Sequence, residues 1–184
     1  MAEVVRIGPM SVDDIGRVGE IDRTEWIATK YEVVRSADGL SLSLAPRQYD
    51  PPQEFPNWDE EGIARRTKWW RHELAGGGAI FGAFADTKLV GIAIVVPRRH
   101  ATAEVLGMFV DAVHRRRGIG GRLLAATEDY ARSVEAAIVY LHPNLTAMAV
   151  GFYRKHGYFL TCLVDEATLS YPEMEACIVL AKRV

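Results

Sequence analysis

The sequence predicts an α/β chain of the α+β kind, a central sheet packed against helices, and three observations carry that expectation. Two apolar runs, residues 79–85 and 88–96, flank Asp86-Thr87 and read as an antiparallel hairpin whose near-continuous hydrophobicity implies cover on both faces. A strand over 103–110 leads through a glycine loop into a helix on which Leu123, Leu124, Thr127, Tyr130 and Ala131 recur at helical spacing. The chain has 184 residues, 49% of them hydrophobic, enough for one domain with a sizeable core and too few for two comfortable ones. One domain over residues 1–184 is therefore expected.

The chain opens with a strand over 4–7, closed by Gly8-Pro9, and a helix begun by Ser11, Asp13 and Asp14 that carries Ile15, Val18 and Ile21. Alternation over 31–34 and 40–44 around Asp38-Gly39 predicts a second hairpin. Residues 48–56 are rich in proline and charge and lack periodicity, so they are expected to form a loop or lid. Asn57, Trp58, Asp59, Glu60 and Glu61 start a capped helix that runs through Ile63, Trp69, Trp70 and Leu74 to Gly76-Gly77-Gly78. After the two apolar strands and the glycine loop, a strand is expected over 136–141. A helix follows over about 145–155, with Leu145, Met148, Ala149 and Phe152 as its core stripe and Gly157 as its terminator. Strands over 158–164 and 175–181 close the chain.

A net charge of −2 and a pI near 6.2 argue against general nucleic-acid or membrane-surface binding, with basic charge confined to clusters at 98–100, 115–117 and 154–156. The start has no charged leader before an apolar run, and no segment approaches ~18 apolar residues, so a soluble cytoplasmic protein is expected. Cys162 and Cys177 are too few for a disulfide framework and lack metal spacing; they are expected to be reduced and mostly buried. No metal site is predicted.

The functional signal is the loop of His114, Arg115, Arg116, Arg117, Gly118, Ile119, Gly120, Gly121 and Arg122. Glycines permit close backbone approach, a helix start offers unpaired N–H groups, and arginines surround the opening, so a phosphate-rich ligand fits. A Walker loop is absent, and a dinucleotide fingerprint would need a glycine at Leu123. In the form Arg-x-x-Gly-x-Gly the loop resembles the coenzyme A loop of the GCN5-related N-acetyltransferases. Residues Asn144 to Tyr158 are similar to the same family's Asn-x-x-Ala-x-x-Phe-Tyr-x-Lys-x-Gly-Phe helix, with two departures: the small residue falls at Ala147 and Ala149 on either side of Met148, and Tyr158 stands in place of the last phenylalanine.

That resemblance covers nearly the whole chain. It implies a mixed, mostly antiparallel sheet of about six to seven strands, splayed between the strand at 103–110 and the strand at 136–141, with a substrate-side insert at about 23–74. It further implies acetyl-CoA as co-substrate. Backbone N–H groups between Arg117 and Arg122 would cradle the pyrophosphate, Arg115 and Arg116 would add charge, and Gly118, Ile119, Gly120 and Gly121 would form the turn. Met108, Phe109 and Val110 would pair with the pantetheine arm, with an N–H at Phe109 or Val110 polarising the thioester carbonyl. Asn144 would bond the pantetheine or cap its helix.

The implied reaction is direct attack by an amine. An alkyl ammonium has a reference pKa of ~10.4, so presenting the neutral amine at pH 7 costs roughly 4.6 kcal/mol. Glu104, eleven residues ahead of Arg115, resembles the family's base; the competing role is an ion-paired surface glutamate, and His142 is a second candidate base. Tyr153 matches the tyrosine that protonates the departing thiolate. Asp50, Glu54, Asp59, Glu60 and Glu61, with Trp26, Trp58, Trp69, Trp70, Tyr31 and Tyr49, could hold a cationic amine, or could simply cap helices and fill the core. The acceptor is expected to be a small-molecule primary amine. A protein or peptide amine, and a non-catalytic acyl-CoA-binding regulator, stand as alternatives. No nucleic-acid or membrane partner is expected, and the family also admits a homodimer.

Overall fold

The structure, a computed structural model, describes residues 4–164 and 177–184. In chain order the strands and α-helices are β1 (Val5–Pro9), β2 (Glu25–Arg35), β3 (Leu42–Phe55), α1 (Glu60–Leu74), β4 (Ala79–Ala85), β5 (Lys88–Arg98), β6 (Thr102–Val110), α2 (Ile119–Ser133), β7 (Ile138–Leu141), α3 (Ala147–Lys155), β8 (Phe159–Val164) and β9 (Cys177–Arg183). Among the described residues seven strands belong to a mostly antiparallel central sheet, as the predicted fold class requires, and β2 and β3 make a separate pair. By internal packing the chain forms two compact units. One comprises Met1–Glu25, Pro56–Val139 and Arg183–Val184, the other Trp26–Phe55 and Tyr140–Lys182.

In the first unit the strand order is β1-β4-β5-β6, antiparallel throughout. β5 is buried from Leu89 to Val96, which explains its unbroken apolar run. Leu89, Ile92 and Ile94 pack with Ile15, Val18, Ile21, Trp70 and Ile80, whereas Val90 and Ala93 pack with Ala83, Ile119 and Leu123 of the α2 side. The strand thus feeds two cores, one on each face of the sheet.

Residues Asp13–Glu20 form a 3₁₀ helix and not the expected α-helix. Its apolar residues fall three apart at Ile15, Val18 and Ile21, which suits a helix of three residues per turn better than one of 3.6, and all three are buried. Glu20 secures the segment by accepting from Leu89 N–H at 2.8 Å and from Arg17 at 2.6 Å. Asp59 caps α1 by accepting from Gly62 N–H at 2.8 Å.

In the second unit β2 and β3 run well beyond the predicted hairpin. The proline-rich stretch 48–56, expected as a loop or lid, is instead the second half of β3 as far as Phe55. A two-stranded ribbon leaves one edge of each strand unpaired, so prolines there forfeit no ladder bond. Cross-strand contacts hold the register: Thr29 donates to Gln48 at 2.8 Å and Arg47 to Glu32 at 2.7 Å. β8 and β9 pair antiparallel, and the order of this share of the sheet is β7-β9-β8. Residues 175 and 176 of the last predicted strand lie outside the described residues. Cys162 is exposed and Cys177 half-buried, so the expected burial of the first thiol fails: its strand β8 is exposed at four of six positions.

Candidate functional site

β6 carries several of the candidate site residues of the first unit. Its pairing with β5 shifts between Ile94 and Val95, leaving Leu106 as an extra residue, a bulge that bends the strand ahead of Met108, Phe109 and Val110. Gly107 beside it is required by space, because a Cβ there would lie 2.9 Å from Trp70 Cζ2 and 3.1 Å from Phe109 Cε2. The Phe109 ring meets Trp58 at 5.0 Å and Trp70 at 6.0 Å, so these three aromatic rings fix one another.

The residue pattern gave Asp111 no role and named His114 only as the start of the arginine loop. Asp111 is 1% exposed and accepts from His114 Nδ1 at 2.8 Å, from Asp22 N–H at 3.1 Å and from Lys88 Nζ at 3.3 Å. Burial works to raise this carboxyl, but the His114, Asp22 and Lys88 bonds outweigh it and hold the group below the usual carboxylate range. A carboxylate only accepts, so the His114 ring carries a proton on Nδ1. The pair closes a short 3₁₀ turn, Ala112–His114, and delivers the chain to the arginine loop. An acid three residues before a histidine is the one signal that could have announced it.

The structure gives the arginines different tasks. Arg115 is committed to main chain, donating through Nε to Val110 O at 3.0 Å and through Nη1 to Thr24 O at 2.8 Å. It ties the end of β6 to the segment after the first 3₁₀ helix. Arg122 likewise donates to Val5 O at 3.0 Å. Arg116 and Arg117 are exposed, and Arg116 takes a left-handed φ of 63°. Gly118 follows at φ 78° as the N-cap of α2.

The first bond of α2 runs from Arg122 N–H to Gly118 O at 3.2 Å. The N–H groups of Ile119, Gly120 and Gly121 therefore precede the helical ladder, and Gly118 has no side chain with which to cap them. Three open amides at the positive end of a 15-residue helix, with Arg116 and Arg117 exposed beside them, fit an anionic ligand with adjacent phosphates such as the pyrophosphate of coenzyme A. A Cβ on Gly118 would meet nothing within 4 Å, so its glycine is demanded by the backbone angle and not by crowding from protein atoms.

Glu104 on β6 is half-buried and bound. Arg98 Nε donates to it at 2.7 Å, and Arg98 Nη2 donates to Glu73 on α1 at 2.6 Å. Burial works against the guanidinium charge, but the two carboxylates outweigh it and lift Arg98 above its ordinary value. Two acids share one base, so the trio carries one net negative charge.

In the second unit, Tyr31 N–H donates to Leu145 O at 2.7 Å and Lys30 bridges to Thr146, so β2 braces the start of α3. Thr146 is the N-cap, accepting from Ala149 N–H at 3.2 Å, which removes the capping role considered for Asn144. Asn144 and His142 are exposed. The buried stripe of α3 is Val150 and Tyr153, continuing Leu145 and Thr146, and not the expected line through Met148, which is 44% exposed. Tyr153 packs edge-on against Phe152 at 5.1 Å and Tyr158 at 5.8 Å, and burial pushes its phenol well above the usual range.

The aromatic and acidic residues of the insert separate into roles. Trp70 is wholly buried core, Asp59 is spent on its cap, Glu61 faces Arg65 at 3.9 Å in solvent, and Trp26 is exposed. Asp50, Glu54 and Glu60 are exposed, and Tyr31 and Tyr49 half-buried. Trp58 lies under a guanidinium, with Arg23 Cζ 3.5 Å from its ring centroid. Among the described residues no three His, Cys, Asp or Glu side chains gather as a metal site, and no helix is long and apolar enough to cross a membrane.

A sequence model of the acetyltransferase (GNAT) family matches residues 44–158, a span that includes the arginine loop and α3. No curated protein resembles the chain closely enough to count as a match. Among solved structures, a nourseothricin acetyltransferase superposes with a TM-score of 0.78 at 21% identity, covering 97% of this chain and 98% of its own. A Bacillus anthracis protein described as a streptothricin acetyltransferase, in complex with acetyl coenzyme A, superposes at 0.71 with 17% identity, over 100% and 99% of the two chains. The ribosomal-protein-S18-alanine N-acetyltransferase of Escherichia coli superposes at 0.65 with 17% identity, over 98% and 94%. At such identities the shared property is the fold, and these relatives differ in acceptor. The family match over more than half of the chain, joined to that fold, places this protein in the GNAT family of acetyltransferases, enzymes that take their acyl group from acyl-CoA.

Proposed function

We propose that the protein is an N-acetyltransferase that moves an acetyl group from acetyl-CoA to the primary amine of a small molecule by direct attack. The single observation that carries this reading is the uncapped start of α2, with three open amides, a left-handed Gly118 and exposed Arg116 and Arg117. Bound there, acetyl-CoA supplies a thioester whose C–S bond breaks as the new N–C bond forms. The amides of Ile119, Gly120 and Gly121 hold the pyrophosphate, and Arg117, Arg116 and Arg122 add charge around it. Arg115 acts by tethering the loop to Val110 and Thr24. Main-chain groups of Met108, Phe109 and Val110 align the pantetheine arm, beyond the bulge at Leu106, and an N–H there polarises the carbonyl. Asn144, exposed and free of capping duty, bonds the same arm.

Glu104 accepts the amine proton. Taking a proton neutralises the trio it forms with Arg98 and Glu73, and Arg98 keeps Glu73 as its counter-ion, so the step strands no charge. Tyr153 delivers a proton to the departing sulfur; its buried phenol stays protonated at any physiological pH. A net charge of −2 supports a small-molecule acceptor over a nucleic acid.

The test is to incubate the protein with acetyl-CoA and a panel of primary amines and peptides, following both free thiol and acetylated product by mass spectrometry. Acetylation of small amines supports the reading. Acetylation confined to peptide N-termini or lysines would replace it with a protein acetyltransferase, and coenzyme A binding with no acetylated product would replace it with an acyl-CoA-binding regulator.

A further inference from the structure

Positive charge converges on one aromatic ring of the first unit. Arg23, 7% exposed, lays its guanidinium carbon 3.5 Å from the Trp58 centroid and 4.9 Å from that of Phe109. Arg66, exposed on α1, brings a second guanidinium to 5.4 Å from the same Trp58 ring. The arrangement is braced: the Asn57 side chain accepts from Arg23 N–H at 3.3 Å and from Trp58 N–H at 3.0 Å, which fixes the two residues together. Burial, then the neighbouring charges of Arg66 and Arg115, bring Arg23 down to about 10, with Glu25 acting the other way.

This overturns the use of Trp58 as a seat for a cationic amine, since a guanidinium already covers its ring. We propose that Arg23 and Arg66, set on Trp58, form an anion-binding corner of the acceptor site, and that the acceptor is an amine bearing a carboxylate. The proposal rests on the N-acetyltransferase reading above. Phe109, which touches both Trp58 and Arg23, belongs to the stretch of β6 assigned there to the thioester, so an anion held at this corner lies beside that stretch. Arginine suits the task, because its planar fork grips a carboxylate in two parallel bonds and its flat face stacks on indole. Arg66 and the half-buried Trp58 give access from solvent, while buried Arg23 is held in place before any ligand arrives.

The experiment compares kcat/KM for amino acids with that for their amides, using acetyl-CoA as donor. The amide has the less basic amine and is favoured by the chemistry, so a preference for the free acid reports recognition. A preference of at least tenfold is expected, falling at least fivefold in Arg66→Gln through KM, with Arg66→Lys recovering only part of it because an ammonium lacks the planar fork. Equal use of acid and amide would overturn the proposal, as would an Arg66→Gln variant that weakens acetyl-CoA binding and leaves the ratio intact. If no amine is acetylated, the corner is tested apart from the function by titrating amino acids against tryptophan fluorescence. Saturable binding weakened in Arg66→Gln upholds the site although the enzyme reading fails, and absence of saturable binding overturns it.

Discussion

Arg98 Nε lies 2.7 Å from Glu104 Oε2 while the same guanidinium holds Glu73 at 2.6 Å, so the proposed base shares its counter-ion with a second carboxylate. The consequence is kinetic. Glu104→Gln is expected to lower kcat by about tenfold to a hundredfold and to flatten its rise with pH, because a base works only when deprotonated. A kcat and pH profile unchanged from the native enzyme would reduce Glu104 to a structural ion pair. Arg98→Met leaves two half-buried carboxylates facing one another, and urea denaturation should show a loss of about 2 kcal/mol.

Tyr153→Phe keeps the ring contacts with Phe152 and Tyr158 and removes only the hydroxyl. Turnover should fall about tenfold or more, with KM for acetyl-CoA nearly unchanged. There is also a stability signature. Because burial raises this phenol, the folded chain keeps it neutral where the unfolded chain ionises, so its contribution is intact below about pH 10 and is lost as pH climbs beyond that value. The phenylalanine variant should lose less stability in that alkaline window, as read by denaturation at stepped pH.

Gly118→Ala separates backbone from space. Nothing stands within 4 Å of the added methyl, yet the residue must hold φ at 78°, so the expected cost is about 1 kcal/mol of thermal stability. Coenzyme A affinity should drop by more than that strain alone explains, since the methyl enters the space left for phosphate. Calorimetric titration checks it.

Gly107→Ala is the converse case. Its methyl would press on Trp70 Cζ2 at 2.9 Å, and Trp70 is wholly buried, so about 1–3 kcal/mol of destabilisation is expected from overpacking. Phe109 stands 3.1 Å from the same point, so KM for acetyl-CoA should rise as the strand shifts.

The sheet, the order of elements and the turn from β6 into α2 are legible because each rests on local pattern: unbroken apolar runs for β4 and β5, and glycines before a helical repeat for the turn. What pattern could not carry was the choice among partners. The prolines of residues 48–56 signal a loop only if both strand edges need pairing, and the two-stranded β2–β3 ribbon has no such need. On α3 two stripes compete at similar hydrophobicity, and tertiary packing buried Val150 and Tyr153 while leaving Met148 in solvent. Arg115 looked like a phosphate ligand because a sequence cannot tell whether a guanidinium will meet a carbonyl or an anion. Its bond to Thr24, and the bond from Asp22 N–H that holds Asp111, join chain segments about ninety residues apart.

The central claim is that the open start of α2 grips the pyrophosphate of coenzyme A. Phosphorus NMR of coenzyme A distinguishes the pyrophosphate from the 3′-phosphate and reads that grip directly. The account predicts that the pyrophosphate resonances shift on binding, and that changing Arg116 and Arg117 both to alanine weakens coenzyme A binding while the shift persists at saturation, because the main-chain amides remain. Pyrophosphate resonances that stay in place while coenzyme A binds would contradict it.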